Sequence, residues 1–195
     1  MTLESFINQF DHEGAIVLLE GKREVRPQDQ DKLIALGNLL ASNTKHMIFR
    51  SGNAPGSDQY FAQGVCSVND KRLQVIIPYT GHRKTNNKAY ESFALDQIDL
   101  AAEPEVVYQS KSNKKTKNLI DNYANGIKNQ YTLKAAYIIR DTIKAIGTST
   151  IKPTTCAVFY DDLDHPRTGG TGHTMNICLQ NNIPVFDQSI WFNWV

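Results

Sequence analysis

Two short glycine-rich segments hold the residues whose types and spacing best suit ligand chemistry. The first, SGNAPGSD, spans residues 51–58, and the second, TGGTGHT, spans residues 168–174. Each follows an apolar run and leads into a pattern typical of a helix. Glycine lets backbone N–H groups approach phosphate oxygens closely, and a helix N-terminus adds positive potential. The two segments therefore predict a site for a nucleotide phosphate, although tight strand-to-helix turns would also account for the glycines.

The known phosphate-binding motifs do not describe either segment. Neither contains GxxxxGK[ST], and neither fits GxGxxG with an acidic residue about twenty positions on. A P-loop and a conventional NAD site are therefore not expected. Arg23, Arg140 and His173 are candidates to contact phosphate directly, and for each the alternative is a role in the scaffold or in loop hydrogen bonding.

An acidic segment, YDDLDH, follows the fourth of the predicted main strands. Asp161, Asp162, Asp164 and His165 could bind Mg²⁺, which takes carboxylate oxygens, or could supply a base. A solvated acidic loop is the alternative. We predict no metal site and no required cofactor.

Apolar periodicity supplies the elements that must position these segments. Buried strands are predicted at five places: residues 15–21, 46–51, 73–78, 154–162 and 183–187. Helical patterns follow Pro27 and cover four further ranges: residues 58–68, 90–102, 129–146 and 175–182. This alternation predicts an α/β fold, namely a Rossmann-like, mostly parallel sheet with helices on both faces. We expect a single domain over residues 1–195, with a helical and loop insertion at about residues 79–135 between the third and fourth main strands.

Composition limits the function classes. The formal net charge is +1, so no global basic field indicates nucleic acid. Lys111, Lys114, Lys115 and Lys117 form a local cluster that is either a solvated face or a phosphate-binding patch. No run approaches the ~18 apolar residues of a membrane span, and the first twelve residues do not resemble a signal peptide. The three cysteines lie in apolar runs and are expected to be buried free thiols, so we expect a cytoplasmic protein.

Several stretches carry a resemblance to known families. SGNAPGSDQYFA matches the pattern S-G-x-A-x-G-x-D of the DNA-processing protein A (Smf) family, and TGGTGHTMNIC with NNIPVFD resembles the glycine motif and following strand of its relatives. Those relatives include the LOG-type proteins once labelled lysine decarboxylases and the molybdenum-cofactor carrier-like proteins. Together they form the SLOG superfamily of Rossmann-like domains. This chain resembles a phage or bacterial member of that superfamily, and the resemblance covers about three quarters of its length. EGKRE and YIIRD are weaker matches.

The resemblance implies a pocket for a nucleotide, a nucleotide derivative or a nucleic-acid phosphate. Matching positions and their neighbours give the candidate ligand-binding residues: Gly21, Arg23, Ser51, Gly52, Asn53, Ala54, Gly56, Ser57, Asp58, Arg140, Gly169, Gly170, Thr171, Gly172, His173 and Thr174. Ser57 is expected to cap the following helix. Asp58 would repel phosphate, so it is expected to order the loop or to hold a ribose hydroxyl.

Three functions follow from the resemblance. We expect a sensor, carrier or sequestering protein for a nucleotide or nucleotide-derived metabolite, without an assigned catalytic residue. A single-stranded DNA-binding recombination mediator is the first alternative; near-zero net charge and the lack of an evident aromatic and basic strip speak against it. A nucleoside 5'-monophosphate phosphoribohydrolase is the second, and Asn176 at the expected glutamate position speaks against it. A homodimer is the expected assembly, and no membrane partner is expected.

Overall fold

The computed structural model describes all of residues 1–195 and contains one six-stranded sheet. All strand pairs are parallel, and the spatial order is β4-β3-β2-β1-β5-β6. The strands are β1 (Ile16–Gly21), β2 (Ile48–Ser51), β3 (Leu73–Ile77), β4 (Glu91–Ala94), β5 (Cys156–Tyr160) and β6 (Val185–Phe186). The predicted Rossmann-like α/β class is confirmed. The order reverses between β1 and β5, and open parallel sheets bind ligands beyond the strand ends at such a reversal.

Helices cover both faces of this sheet. They are α1 (Leu3–Phe10), α2 (Gln30–Asn43), α3 (Ser57–Cys66), α4 (Pro104–Ser110), α5 (Lys117–Ala124), α6 (Leu133–Ile146), α7 (Gly169–Gln180) and α8 (Gln188–Trp191). Helices α1, α2, α3 and α8 share a core with one face, and α4 to α7 pack on the other. No helix combines the length and apolar character that a membrane crossing needs.

Strand alternation in β1 determines which charged residues reach the second face. Val17 and Leu19 pack in the core with α2 and α3, whereas Leu18 packs with α7 on the opposite face. Successive side chains of a strand point to opposite faces. The Glu20 side chain therefore lies on the same face of the sheet as Leu18, against α6 and α7. Glu20 is only 5% exposed there, which is unusual for a carboxylate.

The structure corrects four of the predicted elements. Residues 90–102 are not a helix: they form edge strand β4 and two short 3-10 turns. The predicted helix over 129–146 begins at Leu133, and the one predicted over 58–68 spans Ser57–Cys66. The segment TGGTGHT is not a loop, because α7 begins at Gly169.

The insertion packs mainly within the subunit. Ile120 and Tyr123 are buried in the core beneath α4 and α6, while Ile127 is 49% exposed. Lys111 pairs with Asp121, and Lys114, Lys115 and Lys117 are exposed. The three cysteines are free; Cys156 and Cys178 are buried as predicted, but Cys66 is only half-buried.

Candidate functional site

A cleft of about 700 Å³ opens at the carboxyl ends of β1 and β5. Its walls come from the end of β1, the loop before α3, the insertion, α6 and the first turn of α7. Nine of the sequence-predicted residues line it: Gly21, Arg23, Ala54, Asp58, Arg140, Gly169, Gly170, Thr171 and His173. The volume lies within the range of small-molecule sites.

The first turn of α7 places three residues with unpartnered backbone N–H groups in the lining of the cleft. The N-cap residue Thr168 makes no side-chain cap, and no hydrogen bond takes up the N–H groups of Gly169, Gly170 or Thr171. The first N–H groups of a helix have no partner inside the helix and need one outside it. An anionic group in the cleft would supply that partner and would also interact favourably with the helix dipole.

Lys22, the residue after β1, holds the first turn of α7 in place. Its Nζ donates to the Thr168 carbonyl oxygen at 2.9 Å and to Thr168 Oγ1 at 2.7 Å, and it lies 3.4 Å from Asp161 Oδ1. The Thr168 side chain is thereby committed to Lys22. Arg23 and Lys134, by contrast, are exposed at the mouth of the cleft and form no ion pair or side-chain hydrogen bond. They are cations available to a ligand.

Buried charges form the floor of the cleft. Lys144 is 1% exposed and reaches two carboxylates, Glu20 Oε2 at 2.6 Å and Asp141 Oδ1 at 2.8 Å. Arg140 Nε lies 3.1 Å from Asp141 Oδ1, and Thr174 Oγ1 donates to Glu20 Oε1 at 3.0 Å. We call Glu20, Arg140, Asp141 and Lys144 the floor cluster. Removing such groups from water costs several kcal/mol per ion, so each depends on its partners.

The pKa values of the two carboxyls in the floor cluster are shifted in opposite directions. Burial, with the added charges of Asp141 and Asp58, raises the pKa of Glu20 to about 7 against the attraction of Lys144. Burial alone would also raise the pKa of Asp141, but Arg140 and Lys144 outweigh it and hold that pKa below its usual range. The floor cluster can therefore exchange one proton near neutral pH at Glu20.

The segment SGNAPGSD supports the cleft more than it lines it. Ser51, Gly52, Asn53, Gly56 and Ser57 lie outside the cleft lining. Gly52 donates its N–H to Asp58 Oδ2 at 2.9 Å, and its carbonyl oxygen accepts from Arg140 Nη1 at 2.7 Å.

Asp58 orders this segment, as the sequence predicted, since its Oδ2 also accepts from the Ala54 N–H at 3.2 Å. Ser57 is not the N-cap of α3: that position belongs to Gly56, and Ser57 Oγ instead donates to the Lys22 carbonyl oxygen at 2.7 Å. Of this segment, only Ala54 and Asp58 reach the cleft.

Gly56 is required for this packing, and we expect Gly56→Ala to lower the free energy of unfolding by about 2 to 3 kcal/mol. Its φ is +81°, and an added Cβ would overlap the Arg23 backbone carbonyl. Gly81 is the matched control, because it has the same φ of +81° but no atom within 4 Å of an added Cβ. Gly81→Ala should cost only the backbone strain, about 1 kcal/mol. Urea unfolding of both variants measures the difference, and equal losses would contradict the close contact.

His173 and the last two predicted residues are engaged within the protein. His173 Nε2 lies 3.1 Å from Thr142 Oγ1, and its Nδ1 lies 3.5 Å from Ser112 Oγ. Burial lowers the pKa of His173, so the neutral ring is favoured. Gly172 packs against the Arg167 backbone, and Thr174 contacts Glu20, so neither lines the cleft.

The acidic segment lies beside a neighbouring cleft rather than this one. Asp161 is buried, and its Oδ2 accepts from the Arg167 N–H at 2.7 Å, while Asp162, Asp164 and His165 are in a mostly exposed turn. No three histidine, cysteine or carboxylate side chains of the chain are arranged to hold a metal ion. Asn176, at the position of the hydrolase glutamate, is exposed and lies outside the cleft.

The sequence-predicted residues leave out twelve of the 21 residues that line the cleft, among them Glu20, Lys134, Tyr137, Asp141 and Lys144. The available signal for two of them was a charge inside an apolar pattern. Glu20 ends the run AIVLLEG, and Lys144 interrupts the apolar face of α6. A charged residue in such a position is rarely buried unless it is paired.

The fold and the cleft define a Rossmann-like domain with a ligand-sized opening at the point where its strand order reverses. Comparison with solved structures finds similarity to DNA processing protein A from Helicobacter pylori, a structure described for its single-stranded DNA binding mode. The TM-score is 0.52 at 16% sequence identity, and the match covers 92% of this chain and 67% of that one. At this identity the likeness is one of fold. No protein-family model and no curated protein matches the sequence.

Proposed function

We propose that this protein binds a nucleotide or a nucleotide-derived metabolite in the cleft, as a sensor, carrier or sequestering protein. The observation that carries this proposal is the uncapped first turn of α7. Three residues with free N–H groups line the cleft there, and Arg23 and Lys134, which also line it, form no ion pair. Phosphate is the anion that best uses several backbone donors together with mobile cations. The position at the strand-order reversal supports the same ligand class.

The distribution of charged side chains in the cleft indicates how a ligand would be oriented there. Glu20, Asp58 and Asp141 place carboxylates on the floor, whereas the free cations Arg23 and Lys134 lie at the mouth. Arg140 and Lys144 are already paired with the carboxylates of the floor, so the floor offers no unpaired cation to a second anionic group. A phosphate at the α7 turn joined to a neutral, hydroxyl-bearing sugar and a base fits both regions. The cleft therefore favours a nucleotide over a small free anion.

The test is Gly170→Asp, which places a carboxylate at the turn where the phosphate should lie. We expect affinity for the bound nucleotide to fall at least ~100-fold, since charge-assisted hydrogen bonds are worth about 1.5 to 3 kcal/mol each. Thermal shift against AMP, ADP-ribose, NAD and cyclic dinucleotides would first identify the ligand. A ligand at about 100 times its dissociation constant raises the free energy of unfolding by roughly 2.7 kcal/mol.

Gly170→Ala is the matched control for this test. An added Cβ at Gly170 would lie 3.4 Å from Asp141 Oδ2, an ordinary contact, and the backbone there is not left-handed. The alanine variant should fold and bind within a few-fold of the native chain. Unchanged nucleotide binding in a folded Gly170→Asp variant would remove the α7 turn from the site. Product analysis of each bound ligand tests turnover, for which no residue is assigned.

Single-stranded DNA is the second candidate ligand. Its support is the fold similarity to DNA processing protein A, which is described as binding single-stranded DNA. The same thermal-shift series should include a short oligonucleotide. A shift with the oligonucleotide alone, lost in Gly170→Asp, would favour the DNA-binding function over the metabolite-binding one.

A further inference from the structure

Three aromatic rings form a row that starts at the cleft. Tyr137, on α6, lines the cleft, and its ring centroid lies 5.8 Å from that of His82 at an interplanar angle of 79°. The His82 ring in turn lies 5.0 Å from Tyr79 at 84°. We call Tyr79, His82 and Tyr137 the aromatic row. Tyr79 and His82 lie in the connection that follows β3, and Tyr137 lies on α6, so the row brings together residues that are far apart in sequence.

Cations surround the aromatic row. The Arg140 guanidinium lies 5.7 Å from the centroid of the Tyr137 ring. Burial lowers the pKa of His82, and the positive charges of Arg140, Arg83 and Arg23 lower it further. His82 is therefore a neutral ring among arginines. Rings combined with arginines are what nucleic-acid bases stack upon, because every base has a π-face and each arginine adds a cation–π contribution.

His82 also holds an unused polar atom. The residue is 9% exposed, and its buried Nδ1 has no hydrogen-bond partner. Buried polar atoms are nearly always paired, so an unpaired one inside a protein calls for an explanation. Tyr79 remains 38% exposed, which leaves the outer end of the row open. A purely structural aromatic contact would account for the ring packing but not for this unpaired nitrogen on a ring that packs against the cleft-lining Tyr137.

We propose that the aromatic row binds the base of the ligand, with Tyr137 as the stacking surface, while the first turn of α7 holds its phosphate. This inference rests on the proposed function and assigns the residues that would contact the base of its ligand. Sugar phosphates lack the group that the row would contact. The cleft should therefore prefer a nucleotide to ribose 5-phosphate.

The experiment compares AMP and ribose 5-phosphate on the native chain and on two variants of Tyr137. Tyr137→Leu keeps an apolar side chain but removes the ring, and Tyr137→Phe keeps the ring. We expect the native chain to bind AMP about 10-fold or more tighter than ribose 5-phosphate, as one stacked base would allow. Tyr137→Leu should abolish that preference without changing ribose 5-phosphate binding, and Tyr137→Phe should retain it. Tyr90→Leu, a 72% exposed tyrosine outside the cleft lining, is the control.

The outcomes separate this inference from the proposed function. Equal binding of AMP and ribose 5-phosphate to the native chain would overturn the base site and leave the phosphate site standing. Binding of neither would overturn the base site, and the lack of a thermal shift with any nucleotide of the series would overturn the proposed function as well. A parallel loss of both ligands in folded Tyr137→Leu would show that Tyr137 only shapes the cleft, which also overturns the base site. If Tyr137→Leu does not fold, Tyr79→Leu takes its place, with a loss of the AMP preference as the supporting result and no change as the contrary one.

Discussion

Replacing Lys144 with methionine is expected to lower the free energy of unfolding by about 3 to 5 kcal/mol at pH 8, the usual cost of leaving a buried charge without its partner. Lys144 is 1% exposed and is the shared cation of Glu20 and Asp141. Methionine has a similar length, so little cavity forms. The loss would arise because the buried carboxylates of Glu20 and Asp141 would no longer have their shared lysine as a partner.

Urea unfolding measures this effect, with Lys134→Met as the matched control. Lys134 lies on the same helix but is exposed and unpaired, so its replacement should change the free energy of unfolding by less than about 0.5 kcal/mol. The double variant Glu20→Gln/Lys144→Met should recover part of the loss, because it removes one of the two stranded carboxylates. A loss below about 1 kcal/mol in Lys144→Met would mean that the floor cluster is hydrated and contributes little.

Replacing Glu20 with glutamine should remove a pH dependence from the stability of the protein. The pKa of Glu20 is raised from 4.5 to about 7 by burial, with Asp141 and Asp58 adding to the shift against Lys144. Between these values the folded chain binds more protons than the unfolded chain. The contribution of Glu20 is therefore fully present below pH 4.5 and is lost as pH rises through about 7, a change of about 3 kcal/mol.

The measurement is the free energy of unfolding of both proteins from pH 4.5 to pH 8.5. His82 and His173, whose pKa values are lowered, favour the folded state at the upper end of this range instead. Both proteins contain these histidines, so the difference between native chain and variant isolates Glu20. Glu13→Gln, at an exposed position, is the control and should run parallel to the native chain. Parallel curves for Glu20→Gln would mean that Glu20 does not titrate near neutral pH.

Much of the fold was predictable because its signals are local. Apolar runs of five or six residues ending in glycine or polar residues indicate strands buried on both faces, and this placed every strand but one. Strand β4 was missed because ESFA is short, lies at the sheet edge and is half exposed, so it carries no apolar run. The start of α7 was missed because three glycines have low helix propensity, which tertiary packing of Gly172 on the Arg167 backbone overrides.

The location of the candidate site was likewise predictable from local signals, whereas the roles of its residues were not. Glycines after strands and the basic residues Arg23 and Arg140 pointed from sequence alone to the edge of the sheet where the cleft lies, since carboxyl ends of parallel strands meet at one edge. The roles within the site did not follow. Gly52 and Gly56 serve close backbone packing instead of lining the cleft, because Arg140 and the Arg23 carbonyl occupy the space beside them.

The sequence by itself determined the α/β alternation, the parallel sheet and the edge at which the cleft lies, because hydrophobic period and glycine position act over a few residues. Only the tertiary structure decided which distant side chains meet. Glu20 and Lys144 are 124 positions apart by their numbers, and Tyr79 and Tyr137 are 58 apart. Strand order brings β1 beside β5, and α6 packs on the same face of the sheet, where Lys144 meets Glu20; no local pattern encodes that arrangement. The floor cluster and the aromatic row are therefore properties of the fold.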